Sequence, residues 1–177
     1  MSNCCPNPTP VVVVTGVAGS GKTTVGMALA AGLGWDFQEG DDLHPAANLR
    51  KMADGIALDD RDRAPWLESL SAWIDRQQCR GRPALLACSA LKRRYRDVLR
   101  GGRGNIHFLH LQVGASTLAE RLRSRVGHFM PPSMLGTQLA AWEPFEADEQ
   151  AIEIDAEGDP VETVDAARRA LATLNLT

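Results

Sequence analysis

The strongest chemical signal in the sequence is a run of glycines and hydroxyls that closes on a lysine. Gly16-Val17-Ala18-Gly19-Ser20-Gly21-Lys22-Thr23 fits the phosphate-binding pattern G-x-x-x-x-G-K-[ST] at every defined position. Glycines let a backbone turn tightly and aim successive N–H groups inward as an anion nest. A helix opening near Gly21 would point its positive end at the same place. Lys22 would reach the β- and γ-phosphates of a nucleoside triphosphate, and the Thr23 hydroxyl, with Thr24 behind it, would ligate Mg²⁺. The motif follows an apolar strand and opens a helical pattern, so a glycine turn that merely joins the two is the weaker alternative.

Three further segments could complete a phosphotransferase. Transfer to an alcohol needs a carboxylate that orients the hydroxyl and takes its proton, and cations that balance the moving phosphoryl group. Glu39-Gly40-Asp41-Asp42-Leu43-His44-Pro45 follows the second strand, at the sheet edge where α/β folds bind ligands. Its acidic residues suit Mg²⁺ and hydroxyl contacts, or else form the acidic cap of a helix. Asp59-Asp60-Arg61-Asp62-Arg63-Ala64-Pro65-Trp66-Leu67 is a charged run entering a helix. It is either a solvated, capped face or the carrier of an arginine that grips a substrate carboxylate. Ser89-Ala90-Leu91-Lys92-Arg93-Arg94-Tyr95-Arg96 is a dense positive cluster after the third strand, part of which an amphipathic surface helix would explain. Arg121, Arg123 and Arg125 are spaced two apart, so they cannot all share one helical face. His44 and His128 are pocket groups or polar surface residues.

Other nucleotide-binding classes fit less well. A GTP switch needs a base-reading N-K-x-D element, which the sequence lacks, and Asp155-Ala156-Glu157-Gly158 lies too near the C-terminus for a switch D-x-x-G. Motor ATPases end a strand on an acidic Mg²⁺ ligand, whereas the strand here ends in Cys88-Ser89. A small-metabolite kinase remains, alongside a nucleotide-dependent binding module that keeps the loop without the chemistry.

The elements that must hold these groups alternate in type. Val11–Val14, Trp35–Phe37, Ala84–Cys88, Ile106–Val113 and Ala151–Ile154 are short apolar strand signals. Between them run helical patterns: Val25, Leu29 and Leu33 stopped by Gly34, then 62–78, 91–99, 116–125 and a closing helix over 161–174. Strands separated by helices imply crossovers, hence an α/β, three-layer α/β/α P-loop NTPase fold with a five-stranded, mostly parallel sheet. Gly127–Met134, with two prolines, reads as an exposed lid over about 125–135.

Bulk properties set the outer bounds. The 177 residues suit one domain, and 44% hydrophobic with 23% charged residues is ordinary for a globular chain. A net charge of −3 argues against a nucleic-acid surface. Cys4, Cys5, Cys79 and Cys88 show neither metal spacing nor a disulfide framework, which points to a reduced, cytoplasmic protein. Met1–Pro10 is polar and proline-rich, read as a frayed tail rather than a leader, and no run is long enough to span a membrane.

Taken in order, these blocks resemble the bacterial-type gluconokinase family, ATP-dependent kinases of the adenylate and shikimate kinase-like P-loop group. The resemblance runs from about Val11 to Leu171. Its markers are the phosphate loop, Gly40-Asp41 with Leu43-His44-Pro45, Asn48, Lys51-Met52 and Gly55, and Asp60, Asp62-Arg63 with Pro65-Trp66-Leu67. Cys88-Ser89-Ala90-Leu91-Lys92, Tyr95-Arg96-Asp97, Gly127-His128-Phe129-Met130, Gln138 and Glu143-Pro144 continue the series. The family implies transfer of the ATP γ-phosphate to the 6-hydroxyl of D-gluconate, in a homodimer; shikimate or another polyol acid is the alternative substrate. By that resemblance Asp41 deprotonates the hydroxyl, Glu39 assists Mg²⁺ through water, and Arg63 binds the gluconate carboxylate. His44, Ser89, Lys92 and His128 line the pocket, Arg121 packs on adenine, and Arg125 stabilises the transferring phosphoryl from the lid. Ala57, Arg61, Trp142 and Glu39 depart from the usual family residues.

Overall fold

The computed structural model describes residues 8–124, 135–149 and 151–176. Its centre is a sheet of β1 (Val11–Thr15), β2 (Asp36–Glu39), β3 (Ala84–Ala87), β4 (Ile106–Gln112) and β5 (Ala151–Asp155), ordered β2-β3-β1-β4-β5 with every pairing parallel. The expected mostly parallel sheet is therefore wholly parallel among the described residues. The seven helices described are α1 (Lys22–Leu33), α2 (Ala46–Ala53), α3 (Asp60–Cys79), α4 (Arg93–Arg100), α5 (Ala115–Ser124), α6 (Leu135–Ala141) and α7 (Pro160–Thr173).

Strand alternation explains the three layers. Val11, Val13 and Leu86 face one side, against Trp66, Leu70 and Ile74 of α3 and Leu99 of α4. Val12, Val14, Leu85 and Leu109 face the other, against Val25 and Leu29 of α1 and Ala167 and Leu171 of α7. A continuous Val-Val-Val-Val run is what a strand covered on both faces requires. A third cluster joins Val17 and Ala18 to Leu118, Leu122 and Leu135, and packs the phosphate-loop segment onto α5 and α6.

Element ends follow local chemistry. Gly34 stops α1 in the left-handed conformation (φ 67°), as the sequence leads one to expect. Asp59 and Asp62 form a reciprocal capping box at the start of α3: each carboxylate accepts the other's backbone N–H, at 2.8 and 3.1 Å. The capping role anticipated for that charged run is thus carried by two of its aspartates, which leaves Arg63 free to turn elsewhere. Helix α2 is short, with only Asn48 and Met52 buried, and sequence patterning missed it. Residues 8–10, read as part of a frayed tail, are held: Asn105 Nδ2 donates to the Pro8 carbonyl, Gln78 Nε2 to Thr9 and Ala84 N–H to Pro10.

Candidate active site

The parallel strands all end on one edge of the sheet, where the end of β2 and the segments after β1, β3 and β5 line a cavity of about 420 Å³. That is the edge where open α/β sheets bind ligands. Its floor is the loop after β1. Residues Ala18 to Val25 line it, and the left-handed Gly21 (φ 98°) turns the chain into α1 so that the N-terminal end of the helix faces the cavity. A side chain on Gly16 (φ +146°) would strike Ser20, so the turn is closed to anything larger. Lys22 Nζ rests on the Val17 carbonyl at 3.0 Å, folded back along the loop.

The loop after β2 supplies carboxylates. Gly40 opens a 3₁₀ turn pressed against the end of β3, where a Cβ would collide with the Ala87 carbonyl oxygen. Trp66 of α3 ties the turn down by donating its indole N–H to the Gly40 carbonyl at 2.8 Å. This geometry sets Glu39 and Asp41 side by side on the cavity wall. Thr23 Oγ1 donates to Glu39 Oε2 at 2.6 Å, so a hydroxyl and a carboxylate oxygen converge at the foot of the phosphate loop. Two hard oxygens there suit Mg²⁺, which takes few protein ligands and completes its shell with phosphate and water. Among the described residues no cluster of three or more His, Cys, Asp or Glu would hold a metal by itself.

His44, at the end of the same turn, is buried and stacked on Trp66, with centroids 4.3 Å apart and planes 9° from parallel. Burial, then the charge of Arg63, holds its pKa down to about 4, so the ring is neutral at physiological pH. Cys88 beneath Ser89 is an inert thiol, since burial pushes its pKa up to about 12.

Other expected residues divide clearly. Arg63 and Ser89 line the cavity beside Asp41 and His44. Lys92 does not: its ammonium stands 3.2 Å from Asp60 and over the Tyr95 ring, as part of a rim that also holds Arg94. Arg121 lines the opposite wall, and its Nη2 donates to the carbonyls of Ala156, Glu157 and Gly158 at 2.8, 3.0 and 3.4 Å. Arg123 is exposed and donates back to Ala119. Arg125, His128 and the expected lid over about 125–135 lie outside the described residues, apart from Leu135, which opens α6.

The structure adds residues that sequence reasoning overlooked. Ala156, Gly158, Pro160 and Thr163 form a wall of the cavity opposite Asp41. Part of the very tetrapeptide rejected above as a switch segment therefore belongs to the site. Gln138 of α6 is buried, and its Oε1 accepts the Ala18 N–H of the phosphate loop at 2.7 Å, across 120 residues of chain. Neither contact had a local signal; Gln138 stood only among the family markers.

Comparison with known proteins agrees with this geometry. A family model described as an AAA domain matches residues 11–145. A gluconokinase of Gluconobacter oxydans is 51% identical over 149 residues, covering 84% of each chain. Among solved structures, a sugar kinase from Janibacter sp. superposes with a TM-score of 0.88 at 45% identity over 96% of both chains. A gluconokinase from Sinorhizobium meliloti does so at 0.83 and 43% identity, over 94% of this chain and 93% of that one. With the phosphate loop, the paired carboxylates and Arg63 in one cavity, the chain belongs to the gluconokinase family of P-loop kinases.

Proposed function

We propose that the chain phosphorylates D-gluconate at its 6-hydroxyl with ATP, giving 6-phospho-D-gluconate and ADP. The observation that carries this reading is the meeting of three groups in one cavity: the phosphate loop at Ala18–Thr24, the Asp41 carboxylate and the Arg63 guanidinium.

The roles follow from that layout. Triphosphate sits on the N–H groups of the loop, with Lys22 leaving Val17 to balance the β- and γ-phosphate charge. Thr23 and Glu39 would hold Mg²⁺, which when bound would offset charge on the phosphates. Ala156, Gly158, Pro160 and Thr163, with Arg121 across from Asp41, enclose the adenosine end. Arg63 takes the gluconate carboxylate and Ser89 a hydroxyl. The 6-hydroxyl oxygen attacks the γ-phosphorus, the bond from that phosphorus to the β–γ bridging oxygen breaks, and ADP leaves with its electrons. The hydroxyl proton passes to Asp41. Arg125 is assigned to the transferring phosphoryl and His128 to the substrate by resemblance alone; the homodimer rests on the same resemblance, and a cytoplasmic setting on the cysteine pattern. No helix among the described residues is long and apolar enough to cross a membrane.

A coupled ADP-release assay over gluconate, shikimate and other sugar acids tests the substrate. Gluconate should give the highest kcat/KM. Turnover of another acid without gluconate would reassign the pocket, and ATP binding without acid-dependent ADP would make the chain a binding module.

A further inference from the structure

His44 stands beside the proposed base with both of its ring nitrogens facing defined atoms. Nε2 faces Asp41 Oδ1 at 3.9 Å, and Nδ1 faces Asn48 Nδ2 at 3.4 Å. Asn48 is 4% exposed and His44 8%, so solvent does not set these roles. The same Asn48 Nδ2 donates to the Asp62 carbonyl at 2.7 Å. A carbonyl oxygen only accepts, which requires the amide nitrogen, not the amide oxygen, at that position. An amide nitrogen only donates, so His44 Nδ1 must be the acceptor, and the single proton of the neutral ring is left on Nε2.

We propose that Asn48 is a positioning residue that locks His44 as the neutral Nε2–H tautomer, so that the imidazole presents a donor beside the Asp41 acceptor. The pair then reads two neighbouring hydroxyls of a polyol: Asp41 takes the proton of the reacting one, and His44 donates to the oxygen of the next. A histidine with an acceptor at Nε2 would compete with Asp41 for that proton. The surroundings keep the ring uncharged. Arg63 from α3 opposes imidazolium, and the Asp62 carboxylate is turned away to Lys51 at 2.6 Å and to the Asp59 N–H at 3.1 Å. Asp41 is the carboxylate that faces the ring, from its own turn. Trp66, stacked on the ring and bound to Gly40, fixes the plane in which both nitrogens point.

The inference rests on the gluconate reading for the identity of the hydroxyls, but its direct test does not. Long-range proton–nitrogen NMR of the ¹⁵N-histidine protein, recorded without substrate, distinguishes the tautomers, and His44→Gln assigns the signal among the four histidines. His44 should show a protonated Nε2 and a bare Nδ1 from about pH 8 to about pH 5.5, below the ordinary imidazole value of about 6.5. A protonated Nδ1, or an imidazolium in that range, overturns the proposal. Gluconate turnover plays no part in this spectrum, so a failed substrate assay and a wrong tautomer are separate results. Asn48→Asp supplies an acceptor in place of the donor. It should move the proton to Nδ1 and raise the KM for gluconate about ten-fold, the scale of one lost hydrogen bond, with the KM for ATP unchanged. An Asn48→Asp protein that keeps the Nε2–H tautomer and the wild-type KM also overturns it. Both His44→Gln and His44→Asn should lose activity. Gln, whose amide N–H reaches the place of Nε2–H, should keep a gluconate KM about ten-fold lower than Asn.

Discussion

Replacing Glu149 by glutamine should destabilise the fold far more than its isosteric shape suggests. Arg96 and Glu149 are both fully buried, joined by a two-pronged contact of 2.5 Å (Nε to Oε1) and 2.9 Å (Nη2 to Oε2). Arg96 also donates to the carbonyls of Leu91, Glu143 and Pro144, and Glu149 Oε2 accepts the Glu146 N–H at 2.8 Å. Three donors thus converge on the carboxylate, and a glutamine amide would set its own N–H₂ against at least one of them. It would also leave the guanidinium charge buried without a counter-ion. Breaking one half of a buried pair costs about 3–5 kcal/mol. For a chain of this size that is a fall in Tm of roughly 6–20 °C. Differential scanning calorimetry of the variant, with Arg96→Met/Glu149→Leu beside it, is the assay. The double variant removes both charges and should recover part of the loss, the remainder reflecting the Leu91, Glu143 and Pro144 carbonyls and the Glu146 N–H that lose these partners. A single variant within about 2 °C of wild type, less than the shift from 1 kcal/mol, would refute the argument. So would a double variant no better than the single.

The same pair gives a pH dependence of defined sign. Burial raises the Glu149 pKa, but the hydrogen bonds from Arg96 and the Glu146 N–H outweigh it and leave the carboxyl below its ordinary value. A lowered folded pKa means that the unfolded chain binds the proton more readily. The stabilisation is therefore full above the unfolded carboxylate value of about 4.3 and is lost as pH falls through the folded one. His44 and His110, both held at about 4 by burial first and then by neighbouring cations, act in the same direction. Their contribution fades as pH drops from about 6.5, where the unfolded imidazole begins to protonate, toward 4. Wild-type stability should decline from near neutrality downward, and Glu149→Gln should lose only the share of Glu149 in the acidic part, because Asp60, Asp62, Asp75, Asp148 and Glu157 are also held below their ordinary values.

Variants at three site residues separate the roles. Arg63→Ala should raise the KM for gluconate roughly ten- to a hundred-fold, the loss of a charge-assisted contact, and steady-state kinetics with an unchanged KM would remove Arg63 from the carboxylate subsite. Asp41→Asn should lower kcat by about 10²- to 10⁴-fold, and a near-normal kcat would exclude it as the base. Gln138→Leu leaves the Ala18 N–H without its acceptor and should cut kcat/KM for ATP by roughly five- to a hundred-fold. Gln138→Glu keeps an acceptor and should lose less; equal losses would show that the Ala18 contact is not what matters.

Much of this was legible in the sequence for identifiable reasons. The strands are doubly buried apolar runs, and the phosphate loop is a local motif whose spacing is dictated by its own backbone. Even so, β2 extends to Glu39 rather than stopping at Phe37, because pairing with β3 carries polar Gln38 and Glu39 into the sheet. Helix α2 escaped notice since its buried face is just Asn48 and Met52. What the sequence could not expose is partnership at long range. Ala18 meets Gln138 across 120 residues, and Thr15 meets His110, itself stacked on Trp142 at 4.2 Å. Trp142, a departure from the usual family residue, is thereby explained as a plate against His110 beneath the root of the phosphate loop. Glu39, another departure, still reaches Thr23 with its longer side chain. Lys92 shows the opposite limit: a cation at the right place in the chain is drawn off by Asp60, a partner 32 residues away.

The central claim is a phosphoryl group placed on the 6-hydroxyl of gluconate. Phosphorus NMR of the product formed from gluconate, ATP and Mg²⁺ tests it most directly. The account predicts a phosphomonoester whose phosphorus couples to the two protons on carbon 6, formed in step with ADP. A phosphate coupled to any other carbon, or ADP released with only inorganic phosphate, would contradict it.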